Sequence, residues 1–437
     1  MKGPGLSLLF LLALPGFLPS TSRAAEPPEI RAGIRAGRVV VRVLDRRGRP
    51  APGVLVHLAQ VSQDFLLGCN FFMFKRTGKP ELDRKYEEKF ASLFNFATLP
   101  FYWSTYEKAP GKTARRKVAA MARWCLARGI RPKGHPLAWN HPAGVPSWLK
   151  GPPEKVFSLT RKRIQACLLD FRELIRTWDV VNETARPLRF GSDPMSRAIR
   201  AGGRTEWTRK CFLAAREAAP SAFFLINDYD TTGAYEEVIR ALRKKDGSFL
   251  CDAVGIQSHM HGRVWTAGDV KKVCRRFARF GLPLQFTEIT IVSGKRKKNG
   301  KWGPTTPEGE ARQAREVEAF YRALFAEPSV TAATWWDFSD RGAWQGAPAG
   351  LVRADMSPKP AYRVLQRLIR KEWRTDAMAT TDRRGQASFR AVFGTYRVEV
   401  QPPGGKKISA RFSFPRPWPP ERAAKAKKTF TLTCTPF

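Results

Sequence analysis

Two glutamates stand at the ends of strand-like runs. Trp178-Asp179-Val180-Val181-Asn182-Glu183 is an apolar, β-branched run that ends in an amide and then a carboxylate. Leu284-Gln285-Phe286-Thr287-Glu288 ends in a carboxylate in the same way. Cleaving a glycosidic bond needs two carboxyls that flank it. One is protonated and assists the leaving group; the other is ionised and attacks the sugar or activates water. Glu183 and Glu288 are the candidate catalytic pair, provided that the chain brings both strand ends to one place. A lone glutamate at a strand end has a blander reading, a solvated rim residue; two of them on strands of one sheet fit the chemistry better.

To meet, these ends must belong to a sheet that closes on itself. From Phe65 onward, strand-like runs alternate with amphipathic helical ones. Segments 65–71, 96–99, 131–137, 177–182, 222–227, 252–258, 283–288 and 330–336 read as strands. Segments 82–93, 113–128, 159–175, 204–217, 234–245, 269–279, 308–325 and 360–371 read as helices. Eight strand-helix units over roughly 300 residues have the size and order of an α/β fold, the (β/α)8 TIM barrel, whose sites gather at the C-terminal strand ends. Glu183 then follows the fourth strand and Glu288 ends the seventh.

On either side of the barrel the pattern is β. Before it, Val39–Val43, the turn Asp45-Arg46-Arg47-Gly48 and Gly53–Leu58 read as paired strands. After it come Ala387–Val392, Thr395–Val400, Ile408–Phe414 and Thr429–Thr433, entered through the turn Thr381-Asp382-Arg383-Arg384-Gly385. The leading run, Val-x-Val-x-Asp-x-x-Gly-x-Pro, resembles the first half of transthyretin-like or carboxypeptidase-regulatory sandwiches, and the trailing one resembles their second half. The expectation is one small β-sandwich, with segment 30–62 as its first part and 375–437 as its second, split by a barrel over 63–374. Residues 39–43 should then pair with residues 386–400.

The chain has 437 residues and a formal net charge of +39. Such a balance reads first as an Arg-rich solvated surface, and second as attraction to an anionic glycan or envelope. No nucleic-acid-binding motif is present, so no nucleic-acid partner is expected. Lys295–Lys301 is the densest basic run, in a Gly-flanked loop. The charged Lys2, the apolar Leu8–Leu14 and the small-x-small Ser22-Arg23-Ala24 read as a signal peptide over residues 1–24, which predicts an exported protein, periplasmic or extracellular. No later apolar run is long enough to be a transmembrane segment. Seven cysteines without a CxxC pair predict buried free thiols. Five histidines without metal-ligand spacing predict no metal site, and no cofactor motif is present.

Read in order, several of these segments resemble glycoside hydrolase family 10, the endo-β-1,4-xylanase family. Gly134–Trp139 resembles its GHTLVW, and Trp178–Glu183 matches WDVVNE. Asn227-Asp228-Tyr229 matches NDY, Gly255–His259 matches GIQSH, and Thr287-Glu288 matches the nucleophile's TE. Trp336–Trp344, Asp355 and Lys359–Tyr362 resemble the closing segment. The resemblance covers residues 65–372. It implies hydrolysis of β-1,4-xylan, or a related plant or algal polysaccharide, by double displacement, with Glu183 as acid/base and Glu288 as nucleophile. It makes Asn182 the reader of the sugar 2-hydroxyl, His259 the holder of Glu288, and Gln257 part of the same floor. Trp139, Tyr229, Trp336 and Trp344 would offer flat faces to sugar rings. In the family the histidine matching His135 precedes a cis bond, so a cis His135–Pro136 bond is expected, with His135 facing the cleft.

Three departures bear on the sugar. The family's second strand carries Glu-Asn and a nearby Lys that grip the glycone; here the region reads Thr98-Leu99-Pro100-Phe101-Tyr102-Trp103-Ser104. Tyr102 and Trp103 are the substrate-binding candidates in its place. The histidine usually found after the third-strand tryptophan is Asn140, a further candidate. The Asp of the family's TELD is Thr290, so His259 loses a carboxylate partner. Alongside the xylanase reading stand a glycosidase of shifted specificity, for an acidic or decorated glycan, and a weakly active carbohydrate-binding protein.

Overall fold

The computed structural model describes residues 30, 33–187, 191, 193–402 and 405–433. The proposed signal segment lies outside them. The chain enters through β1 (Ala36–Leu44) and β2 (Leu55–Gln63), then starts the barrel with β3 (Leu66–Asn70) and β4 (Phe96–Pro100). A small hairpin, β5 (Glu107–Ala109) and β6 (Lys112–Thr113), precedes β7 (Arg131–His135), β8 (Thr177–Asn182), β9 (Phe223–Asp228) and β10 (Ala253–Ile256). The short β11 (His259–Met260), then β12 (Leu284–Ile291) and β13 (Val330–Trp335) follow. Strands β10, β9, β8, β7, β4, β3, β13 and β12 are neighbours in that order, and pairing of β10 with β12 closes the ring. All eight run parallel. The helices form the outer layer, as a parallel sheet buried on both faces requires.

Local signals set the helix starts. The helix Pro153–Asp170 begins six residues before the expected 159, because Pro153 and Glu154 suit a first turn. The helix Pro194–Gly202 was not expected; Asp193 caps it by accepting from Met195 N and Ser196 N, and Met195, Ala198 and Ile199 bury one face.

Beyond the barrel come β14 (Asp376–Thr380), β15 (Gln386–Val392), β16 (Gly394–Gln401), β17 (Ile408–Phe414) and β18 (Lys427–Thr433). Strand β1 pairs antiparallel with β15, with Val41 opposite Ala387, and parallel with β18. Strand β2 pairs antiparallel with β14 and β16. Two sheets, β15-β1-β18 and β14-β2-β16-β17, thus enclose one core that includes Val39, Val41, Leu58, Phe389, Tyr396 and Val398. The segments before and after the barrel build a single sandwich.

The sandwich abuts the N-terminal end of the barrel, away from the strand ends that carry the glutamates. Arg35, buried just before β1, donates to the carbonyls of Leu324, Phe325, Glu327 and Val330. It caps the C-terminus of the helix Pro307–Ala326, where orphan carbonyls favour a cation. Arg416 adds a bond to Pro328 O at 2.6 Å. These contacts make the sandwich a brace for the barrel base. Cys69, Cys125, Cys167, Cys211, Cys251 and Cys274 are free and buried. No described helix is long and apolar enough to cross a membrane.

Candidate active site

Asn182 ends β8, and Glu183 follows with φ 59°. A non-glycine residue holds that left-handed conformation at a cost on the order of 1–3 kcal/mol, and such outliers gather where function needs them. The backbone N–H of Glu183 donates to Asn227 O at 2.8 Å and fixes the turn. The Glu183 side chain is thereby brought back over the barrel mouth, where it is 6% exposed.

Amides link the two glutamates. Gln257 Nε2 donates to Glu183 Oε1 at 3.0 Å and lies 3.3 Å from Asn182 Oδ1. Asn227 Nδ2 donates to the same Asn182 oxygen at 2.8 Å and to Glu288 Oε1 at 2.8 Å. Thr287 Oγ1 donates to Asn227 Oδ1 at 2.6 Å and fixes which way that amide points. With Asn182 Oδ1 occupied twice, its Nδ2 is the atom left for a ligand. Gly255 makes room for this arrangement, since a Cβ there would lie 2.5 Å from Asn227 Oδ1.

Two histidines also hold Glu288, His259 from β11 beside its own strand and His135 from β7 across the barrel. His259 Nε2 lies 3.2 Å from its Oε2, and His135 Nε2 lies 3.8 Å from its Oε1. Burial alone would raise the Glu288 pKa; the charge of His135, the hydrogen bond and charge of His259 and the charge of Lys133 outweigh it and hold the group at about 2. Glu288 is therefore ionised at neutral pH, the state an attacking carboxylate requires. The other nitrogen of His259 lies 2.8 Å from Thr290 Oγ1, so a hydroxyl stands where the family has a carboxylate. Behind His135, Asp179 Oδ2 accepts from His135 Nδ1 and from Lys133 Nζ, both at 2.7 Å and fully buried. Asp228 behaves oppositely to Glu288: burial first, with the charge of Glu183 adding to it, pushes it up to about 7 despite bonds from Ala185 N and Asp230 N.

Among the aromatic candidates, Trp336 is 5% exposed and packs between His135 and His259, with ring centroids at 5.6 and 6.2 Å. Tyr102 is half-buried against Phe72, His135 and Trp139. Burial, and then the charges of Glu288 and Asp337, keep its hydroxyl protonated by raising its pKa well above the usual value. Trp139 is half-buried and stacks on His141 at 4.0 Å. Trp344 is exposed at the mouth, with its ring 4.7 Å from that of His259. Tyr229 is half-buried just past β9, within electrostatic reach of Arg186.

Three expectations are corrected. Trp103 does not face substrate: it is 2% exposed, donates to Glu107 Oε2 at 2.8 Å, packs edge-on to Trp148 and lies under the Arg163 guanidinium. The short helix Trp103–Tyr106 turns it into the core one residue after Tyr102. Asn140 is not a sugar contact either; it is buried, and its Nδ2 donates to Pro187 O at 2.5 Å and Ser196 Oγ at 3.0 Å, tying two loops together. The cis bond is not at His135–Pro136 but at Trp336–Asp337, with a second at Trp418–Pro419. Parallel pairing continues past Pro136, through Leu137 N to Asp179 O and Ala138 N to Val180 O, both 2.9 Å, so extended trans backbone carries His135 to the cleft.

Four residues at the site were not singled out from sequence: Lys133, Asp179, Asn227 and Asp337. Lys133 is two residues before His135 on the same strand face, a charge in a buried strand, and that spacing was a usable signal. Asn227 stood in a recognised motif. Asp179 was hidden by a register shift between Asp179 and Val181, which breaks the period of two and lets Asp179 and Asn182 both face the interior. Asp337 accepts from Asn70 Nδ2 and, at 2.7 Å, from Trp344 N. It lies in the recognised Trp336–Trp344 segment, but only the distant Asn70 shows its role. No group of three or more His, Cys, Asp or Glu suited to a metal ion occurs among the described residues.

Comparison with known proteins accords with this geometry. The family model described as Glycosyl hydrolase family 10 matches residues 71–367. Endo-1,4-beta-xylanase B of Thermotoga neapolitana is 25% identical over 336 residues, 73% of this chain and 91% of its own length. Anti-sigma-I factor RsgI6 of Acetivibrio thermocellus is 26% identical over 388 residues, 88% of this chain but 47% of that protein. Endo-1,4-beta-xylanase 5-like of Arabidopsis thaliana is 24% identical, and the match spans 65% of it. This chain thus spans about half to two thirds of the length of two of these relatives. In fold, native xylanase 10B from Thermotoga maritima superposes with a TM-score of 0.59 at 21% identity, covering 71% of this chain and 96% of that one. With the matched region covering seven of the eight barrel strands, β4 to β13, and both glutamates, the chain belongs to glycosyl hydrolase family 10.

Proposed function

We propose that the protein is an exported, retaining β-glycanase that hydrolyses β-1,4-xylan or a related polysaccharide. Glu288 attacks the anomeric carbon while Glu183 protonates the leaving oxygen; Glu183 then draws a proton from the water that releases the sugar. The observation that carries the reading is the amide chain from Glu183 through Gln257, Asn182 and Asn227 to Glu288. It fixes both carboxyls relative to one ligand-facing amide, so that the 2-hydroxyl contact and the reacting groups are preorganised together. The low pKa of Glu288 supports its role as the ionised member.

The test is release of reducing sugar from soluble xylan. The wild-type chain should release it, and Glu288→Ala should lose on the order of 10⁴-fold or more in kcat. Equal rates for the two proteins would overturn the assignment. A glycosidase of shifted specificity is kept as the second reading because of one observation: where the family's second strand grips the glycone with polar groups, Leu99 and Phe101 are buried and Tyr102, Phe72 and Trp139 cluster.

A further inference from the structure

The charge of the cleft changes sign between floor and rim. The floor presents Glu183, Glu288 and Asp337 at the barrel mouth, and Lys133 beneath them is buried and paired with Asp179. The rim beside them is the loop that follows β12, the strand of Glu288. In that loop Lys295, Arg296, Lys297, Lys298 and Lys301 are all exposed. Among the described residues none of the five is paired with a carboxylate; Arg296 Nε bonds only Gly300 O within the loop, at 3.1 Å. Elsewhere on the surface many arginines do have acidic partners, such as Arg161 with Glu217 and Arg263 with Asp269.

Backbone bonds shape the loop, and ring contacts connect it to the reacting centre. Lys297 N bonds Lys301 O at 2.8 Å, Gly303 N bonds Lys295 O at 2.9 Å, and Arg296 bridges to Trp302, so the basic residues project from a hairpin-like turn. The Arg296 guanidinium lies 5.8 Å from the Trp302 ring centroid. From Trp302 an aromatic path leads inward to His261 at 6.0 Å, on to Trp344 at 5.1 Å and then to His259 at 4.7 Å, which touches Glu288. A sugar chain resting on the exposed Trp344 face would bring its substituents under this loop.

We propose that this basic loop binds a carboxylate carried on the glycan, as a uronic acid branch or a neighbouring acidic unit, while the sugar at the cleavage point is neutral. The inference rests on the β-glycanase reading and names the substrate class for it. The sign of the charge decides the placement. A uronate at the cleavage point would face three carboxyl groups, whereas one at the rim faces five cations and no acid of the loop. The interaction is solvent-exposed, so each ion pair is weak and salt-sensitive, and together two or three give roughly a tenfold preference.

The test compares 4-O-methylglucuronoxylan with neutral arabinoxylan for three full-length proteins. These are the wild type, Arg296→Gln/Lys297→Gln/Lys298→Gln, and a control that removes the same charge at the exposed sandwich turns, Arg46→Gln/Arg383→Gln/Arg384→Gln. Wild type and control should prefer the acidic polymer by roughly tenfold in kcat/KM at low salt, and the loop variant should lose that preference. Raising the salt should erase it in the wild type and the control. Retardation of the same proteins in gels cast with each polymer reads binding without turnover. If neither polymer is cleaved but the loop still governs retardation by the acidic one, the glycanase reading fails and the loop assignment stands. Equal retardation by both polymers, or equal loss in the loop variant and the control, overturns the loop assignment.

Discussion

The two halves of the barrel mouth are built differently. Strands β8, β9, β10 and β12 supply polar groups that bond one another: Asn182, Asn227, Glu288 and, just past β10, Gln257. Strands β3, β4 and β13 supply mostly rings, Phe72, Tyr102 and Trp336, with Asn70 and Asp337 as the polar exception. The first half positions the reacting carboxyls; the second shapes what lies on them. A reaction fixes the geometry of its acid and base closely, because a misplacement of about 1 Å can cost 10²-fold. A sugar-binding wall is less constrained, since stacking accepts any flat apolar face. In the first half both glutamates and their amide partners keep the pattern of the family's motifs and the departure is confined to Thr290 beside His259; in the second, rings stand where those motifs have a polar clamp.

Substitutions should separate the halves, and the largest effect expected is on stability. Trp103→Ala, in the aromatic half but buried in the core, should destabilise the fold by about 3–5 kcal/mol, while activity per folded molecule changes little. Chemical denaturation alongside initial rates checks this; a large KM change with full stability would return Trp103 to the cleft. In the polar half, Asn227→Ala removes a donor from both Asn182 and Glu288. It should lower kcat by about 10²- to 10³-fold with KM little moved. A change in KM alone would show that the amide chain grips substrate and does not position the carboxyls.

Acid stability sharpens the same contrast. Glu288 is held at about 2 against an ordinary value of 4.5. A depressed folded pKa contributes stability that is fully present above the unfolded value and is lost as pH falls toward the folded one. Relative to Glu288→Gln, the wild type should thus lose about 3 kcal/mol between pH 5 and pH 2. Parallel denaturation curves across that range would mean that His135, His259 and Lys133 do not hold the group ionised. The smallest effect is expected at the wall. Tyr102→Ala should raise KM for xylo-oligosaccharides by roughly tenfold with kcat nearly intact, as loss of one stacking surface does.

How much could be read from sequence follows the same division. The alternation of strands and helices set the barrel, and strand-end position placed both glutamates at its mouth. The paired turns, Asp45 to Gly48 and Asp382 to Gly385, pointed to the two parts of the sandwich, whose β1 and β15 pair. Side-chain direction after a strand end was not legible. Tyr102 and Trp103 are adjacent aromatics, yet a single helical turn sends one to the cleft and the other to the core. Asn140 follows a cleft tryptophan but satisfies loop backbone instead. Asp179 escaped notice because a bulge changed the strand's period. Asp337 owes its place to residues distant in sequence, Asn70 across the mouth and the Trp344 backbone.

The measurement that bears most directly on the Glu183–Glu288 pair is the anomeric configuration of the first product. Proton NMR of xylo-oligosaccharide hydrolysis, recorded before mutarotation, reads it. Attack by Glu288 followed by attack of water inverts the centre twice, so the β-anomer should appear first. First appearance of the α-anomer would mean single displacement by water and would contradict the assignment of Glu288 as nucleophile.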